Sequence, residues 1–226
     1  MQRLSVSQNH LQQKQKDDFF QTRKQQCRLF YQQILILEET QMYGLVNKAV
    51  ESLVLSKFGQ DTWDIICEKA NISGPIISMK SYDDQVTYDL VGACVEVLEM
   101  PVEDVLHTFG EYWVLDVAVV NYSNLMDAHG MGFVEFVKNL DQMHSRIQMT
   151  FDTLNPPSFQ CQELDAETIK ISYFSERPGL THFVVGLPSG LGKHFQEDVN
   201  IEILATKAEG AVSDDFRVIH RPISNS

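Results

Sequence analysis

Basic residues are scarce in this chain. Its 226 residues hold 18 Lys and Arg against 31 Asp and Glu, a formal net charge of −13. A field of that sign repels phosphate backbones and anionic headgroups, so neither nucleic acid nor a membrane surface is expected as a partner. Cysteine is also sparse: Cys27, Cys67, Cys94 and Cys161 stand far apart and form no Cys-x-x-Cys pair. That spacing excludes a zinc knuckle and a thioredoxin-like redox pair, leaving reduced, mostly buried thiols. No apolar run approaches the roughly 18 residues that span a bilayer, and the start lacks the basic-then-apolar order of a secretory leader; a cytoplasmic protein is expected. His-x-x-x-His, paired-carboxylate and nucleophile-elbow patterns are missing, which argues against a hydrolase and, with it, against an enzyme. The run Gly186 to Lys193 superficially resembles a phosphate loop, yet no hydroxyl residue follows the lysine and no strand precedes the glycines.

What the chain does have is apolar content: 43% of residues are hydrophobic and 10% aromatic, enough for a sizeable core. Residues 1–41 differ in texture, crowded with Gln12, Gln13, Gln15, Gln21, Gln25, Gln26, Gln32 and Gln33. They read as an appendage, either a disordered tail, a start assigned too early or a partner-docking arm, with an amphipathic helix conceivable over Leu29 to Glu39. The remainder, 42–226, reads as one domain.

Within it, Leu45, Val46, Ala49, Val50, Leu53 and Val54 recur at helical spacing from Met42 to Phe58, with Gly59 as a stop. Asp61 or Thr62 starts a second helix through Ala70, and Asp83 or Asp84 a third through Leu98. Pro101 opens a fourth to about Val114. A short helix near Ser123 to Asp127 and a longer one from Gly132 to Met149 follow, ending before Pro156 and Pro157. The period then changes to two: Thr168 to Arg177, Asn200 to Thr206 and Phe216 to Arg221 read as strands, with a helix over Leu180 to Phe195 between the first two. The fold expected is α+β, an N-terminal helical subdomain followed by an antiparallel sheet with an inserted helix.

Two features ask for a ligand. On the Gly132 to Met149 helix, Phe133, Phe136, Val137, Leu140, Met143 and Ile147 form one stripe, and His144 falls within it. A lone histidine on an apolar face is more often a core histidine bonded to a backbone carbonyl than a ligand, so both roles stay open. On the Thr168 to Arg177 strand, the face of Ile169 and Ile171 continues with Tyr173, Ser175 and Arg177, three hydrogen-bond donors at two-residue spacing. Either the strand stops near Ser175 and Arg177 is solvated, or the row clamps a ligand bearing carboxylates. One soft axial donor plus a row of donors is what a haem would need.

These residues resemble the H-NOX family, the haem domains found in bacteria and in the β subunit of soluble guanylate cyclase. Met42-Tyr43-Gly44-Leu45-Val46-Asn47 is similar to its opening helix, and Thr87-Tyr88-Asp89-Leu90-Val91 and Phe109-Gly110 to its distal helices. Leu140-Asp141-Gln142-Met143-His144 matches the proximal helix, Pro156-Pro157-Ser158-Phe159 the connector, and Tyr173-Phe174-Ser175-Glu176-Arg177 the Tyr-x-Ser-x-Arg signature. The resemblance implies haem b bound between the helices and the sheet. It makes His144 the iron ligand, Tyr173, Ser175 and Arg177 the propionate grip, and Pro157 a residue pressing on the macrocycle.

It also places Val46, Val50, Trp113 and Phe183 around the gas pocket. Relatives that hold oxygen carry a tyrosine where Phe183 stands, and phenylalanine cannot donate a hydrogen bond, so a nitric oxide sensor that excludes oxygen is implied. Trp113 has an N–H, and His182 would reach the pocket if the alignment shifted by one. Carbon monoxide is a second candidate ligand. The resemblance implies a stand-alone bacterial sensor that signals to a separate partner such as a histidine kinase or a cyclic-di-GMP enzyme. Its rivals are an oxygen-binding or redox-sensing haem protein and a haem-less regulatory module.

Overall fold

The computed structural model describes residues 41–150 and 155–223; the glutamine-rich appendage and the helix expected at 29–39 lie outside the described residues. The helical part comes first. Strand β1 (Gln41–Tyr43) leads into helix α1 (Gly44–Phe58) and pairs antiparallel with β2 (Ser81–Asp83), which leads into α3 (Asp84–Leu98). Helix α2 (Gln60–Lys69) lies between them in sequence. Three-residue strands are too short for an alternation to register, so the sequence shows neither β1 nor β2. Asp83 caps α3 by accepting the Gln85 N–H at 2.8 Å, as its side chain and position foretell.

Helix α4 (Val102–Tyr112) does not stop near Val114. It runs on as a π-helical stretch, Trp113–Ala118, into α5 (Val119–Asp127), with one kink at Tyr122 (φ −133°, ψ 28°). The gap expected between Val114 and Ser123 contains no proline or glycine, and burial of Val114 and Val117 holds the coil through it despite β-branched residues that weaken helices. Helix α7 (Thr181–Phe195) crosses α4 at very close range. A Cβ at Gly110 would lie 2.1 Å from the Phe183 carbonyl oxygen, and one at Gly186 would lie 2.2 Å from that of His107. Gly186 and Gly190 of α7 therefore serve contact with the preceding helical segment and not a phosphate.

The sheet is four-stranded and antiparallel, in the order β3 (Ser158–Glu163), β4 (Thr168–Phe174), β6 (Asp214–Pro222), β5 (Glu197–Ala205). The α+β reading holds, with α7 inserted between β4 and β5 as expected. Strand β3, which the sequence reads only as a connector after the prolines, pairs along β4 from Ser158 opposite Phe174 to Glu163 opposite Ile169. One face of β4, namely Ile169, Ile171 and Tyr173, is at most 4% exposed and meets Phe216 and Val218 of β6. Phe133, Phe136 and Val137 of α6 (Phe133–Thr150) and Val184 and Leu191 of α7 complete this core. Each large apolar side chain so buried contributes about 1.5–3 kcal/mol.

One expectation needs correction. Strand β4 ends at Phe174, so Ser175 and Arg177 lie beyond it and are not aimed by strand alternation. The Ser175 Oγ accepts the Arg177 N–H at 3.1 Å, a local turn that closes the ladder. Among the described residues, Cys67, Cys94 and Cys161 are free thiols and no helix is long and apolar enough to cross a membrane.

Candidate functional site

His144 sits on α6 about two turns beyond the fully buried part of its apolar stripe, which ends at Val137. Its Nδ1 lies 2.9 Å from the Pro157 carbonyl oxygen. A carbonyl only accepts, so Nδ1 carries the proton and Nε2 is left as a lone pair. The ring is 5.8 Å from that of Phe159. Burial pushes the imidazole below its ordinary pKa, against the opposing pull of the Pro157 bond and the Asp141 charge. The neutral form thus favoured is the one that ligates a metal. Both roles left open by the sequence are present in one residue: the carbonyl bond of a core histidine occupies Nδ1, and Nε2 keeps a ligand's lone pair.

Asp141, one turn before His144, fixes the segment that supplies this carbonyl. Its Oδ2 accepts the Ser158 hydroxyl at 2.8 Å and its Oδ1 the Phe159 N–H at 2.5 Å. Asp141→Ala should therefore cost about 1–3 kcal/mol, the penalty for an orphaned N–H, read as a lower midpoint in urea unfolding. The i,i+3 spacing from Asp141 to His144 marks a shared face in the sequence, but nothing there indicates that the partner is the start of β3.

Beside Pro157 a cleft of about 310 Å³ is walled by Asn155, Pro157, Ser175, Glu176, Arg177 and Lys207, among others. Arg177 is not solvated. Its Nε donates to Asp84 Oδ2 at 2.7 Å and its Nη1 to the Asn155 carbonyl at 3.0 Å, with side chains only 13% and 4% exposed. The carboxylate that Arg177 requires is thus supplied by α3, a partner 93 positions away that strand periodicity cannot reveal. Tyr173 does not form the cleft wall. It packs on Phe159 at 5.1 Å between ring centroids and hydrogen-bonds the Ser175 side chain.

Burial pushes the Tyr173 phenol up to about 12, against the lowering effects of Ser175 and Arg177. For a phenol whose folded pKa is raised, stability is complete below the ordinary value near 10 and declines as pH climbs toward 12. Tyr173 should account for about 2 kcal/mol of the stability lost across that window, and Tyr173→Phe should lose less by that share. Denaturant midpoints at pH 9 and pH 12 check this.

The four residues assigned to the gas pocket converge in part. Phe109 links two of them, with its ring 5.2 Å from Phe183 and 6.3 Å from Trp113. Phe109 and Val50 also line one small apolar cavity. Val46, Trp113 and Phe183 are half-buried. The ring contact with Phe109 sets Phe183 against α4. His129, in the turn after α5, is 2% exposed; its Nδ1 donates to the Leu125 carbonyl at 2.7 Å and its Nε2 accepts from Arg146 at 3.2 Å. Both nitrogens are committed, so its role is structural.

A family model for haem-NO-binding domains matches residues 43–203, most of the chain. The chain belongs to the haem-NO-binding, or H-NOX, family. Domains of this family are haem-based gas sensors and not catalytic modules. The chain is 27% identical to soluble guanylate cyclase gcy-31 of Caenorhabditis elegans over 165 residues, 72% of this chain and 24% of that protein. It is 32% identical to the soluble guanylate cyclase subunit beta-2 of Rattus norvegicus over 108 residues, 47% of this chain and 16% of that one. It thus spans a quarter or less of the length of these cyclases. An H-NOX protein from S. oneidensis has the same fold, with a TM-score of 0.74 at 22% identity, covering 81% of this chain and 98% of that one. An H-NOX protein from K. algicida gives 0.70 at 21% identity, covering 81% and 98%.

The residues of this H-NOX chain fit a haem. Among the described residues no three His, Cys, Asp or Glu side chains converge to hold an ion, and His144 offers a single imidazole nitrogen. One neutral imidazole and a cleft whose wall carries the Ser175 hydroxyl and the Arg177 and Lys207 side chains, both beside Pro157, are the protein's share of such a site.

Proposed function

We propose that this H-NOX chain is a ferrous-haem nitric oxide sensor, with carbon monoxide as a second ligand, that relays its state to a separate effector. The observation that carries the reading is the His144 geometry: Nδ1 fixed on the Pro157 carbonyl and Nε2 left as a neutral donor. Haem b, when bound, supplies one open iron position for a diatomic gas. His144 holds the iron side, Tyr173, Ser175 and Arg177 hold the propionates, and Pro157 presses on the ring. Val46, Val50, Trp113 and Phe183 enclose the opposite face. Because the same backbone segment ties His144 to the start of β3, any change in the pull on the imidazole reaches α6 and the sheet together. Such a link is a two-state element that a ligand can bias.

The effector is a histidine kinase or a cyclic-di-GMP enzyme, as in the bacterial arrangement, working in the cytoplasm. Phe183 offers no hydrogen bond to a polar ligand, which supports selection of nitric oxide over oxygen. The half-buried indole of Trp113 is the feature that favours the oxygen-binding alternative. Anaerobic ferrous protein should give a new absorption spectrum with nitric oxide and no stable oxygenated spectrum in air. A persistent oxygenated spectrum overturns the selectivity.

A further inference from the structure

We propose that Lys207 is an additional carboxylate anchor of the ligand cleft, outside the Tyr-x-Ser-x-Arg signature; this rests on the haem reading above. Its Nζ donates to the Ser175 carbonyl oxygen at 2.6 Å, so it lies directly behind the signature serine. Lys207 walls the same cleft as Ser175, Arg177 and Pro157. An ammonium has three donor protons, and its charge here faces a carbonyl and not a carboxylate.

The local charge balance calls for such a cation. Arg177 is neutralised by Asp84, and Glu176 on the same wall is negative. A ligand bringing two carboxylates would meet a net-negative mouth if Lys207 were absent. Position is also preset. The Lys207 N–H donates to Asp214 Oδ1 at 2.7 Å, and Asp214 Oδ2 accepts the Thr181 hydroxyl at 2.6 Å. Asp214 is buried and stands opposite Tyr173 in the β4–β6 ladder. The rung that holds the signature tyrosine therefore also holds the backbone of Lys207. A lysine tied in this way loses less side-chain freedom when it binds an anion than one on a free loop.

The test titrates the full chain at low ionic strength with two probes, haem and haem dimethyl ester, whose carboxylates are masked. Wild type, Lys207→Met, Lys207→Arg and Lys193→Met are compared; Lys193 pairs with Glu111 on α4 and controls for net charge. Lys207→Met should bind haem about threefold to fivefold more weakly, the range for a solvent-accessible ion pair. It should bind the ester as wild type does. Lys207→Arg should recover most of the loss, Lys193→Met should show none, and added salt should shrink the difference. Equal weakening for both probes, or no change for haem in Lys207→Met, overturns the proposal while the haem reading stands. Failure of wild type to bind either probe overturns the haem reading itself and this inference with it.

Discussion

Replacing His144 with glycine should lower haem affinity by more than about 100-fold, and added imidazole should restore the ligated spectrum. The bound is set by comparison: loss of a mere supporting partner of a metal ligand commonly costs about 10–100-fold, and here the ligand itself goes. Glycine leaves a hole the size of the imidazole beside the Pro157 carbonyl, which held the ring through Nδ1. Free imidazole can occupy that hole, donate to the same carbonyl and offer its other nitrogen to the iron. A structural role alone makes a different forecast, namely lower stability in His144→Gly with iron coordination unchanged and indifferent to imidazole.

Asp84→Ala should destabilise the folded chain by about 3–5 kcal/mol, because it strands the Arg177 guanidinium in a site where it is only 13% exposed. The neighbouring Asp83→Ala is the natural control. It removes the α3 cap on Gln85 N–H and should cost only about 1 kcal/mol. If the two losses were equal, the effect would belong to the helix start and not to the ion pair. A double-mutant cycle of Asp84→Ala with Arg177→Ala should return a coupling of several kcal/mol, since the second change removes the stranded charge. The same Asp84 change should also weaken haem uptake, for the guanidinium loses the carboxylate that orients its fork toward the cleft.

How much of this was legible in the residue order follows from the range of each interaction. The helix order and the buried face of β4 come from periods of 3.6 and 2, which need only neighbouring residues, and both appear as expected. His144 could be picked out because it interrupts an apolar stripe. Its carbonyl partner and the Asp141 clamp could not, since both join α6 to a segment after the prolines through contacts no local pattern encodes. Arg177 shows the same limit more sharply. Its need for a carboxylate follows from desolvation, yet Asp84 is 93 positions away. The overlong reading of β4 failed because a serine side chain, not a change in hydropathy, ends the ladder. The π-helical stretch at Trp113 went unread because α- and π-helical turns draw on the same residue types, and packing of Val114 and Val117 chooses between them.

The Pro157 segment gives the account its unity. Its Pro157 carbonyl is bonded to His144, and Pro157 also lines the cleft beside Arg177. A flat ligand gripped at both ends would therefore report on the helical part and the sheet at once.

The most direct test is a titration of the purified, anaerobic, reduced chain with haem, followed by absorption and by resonance Raman on protein carrying nitrogen-15 histidine. Saturation at one haem per chain, with an iron–histidine vibration that shifts with the isotope and vanishes in His144→Gly, is the predicted result. No saturable haem band, or an iron–histidine vibration that survives in His144→Gly, would contradict it.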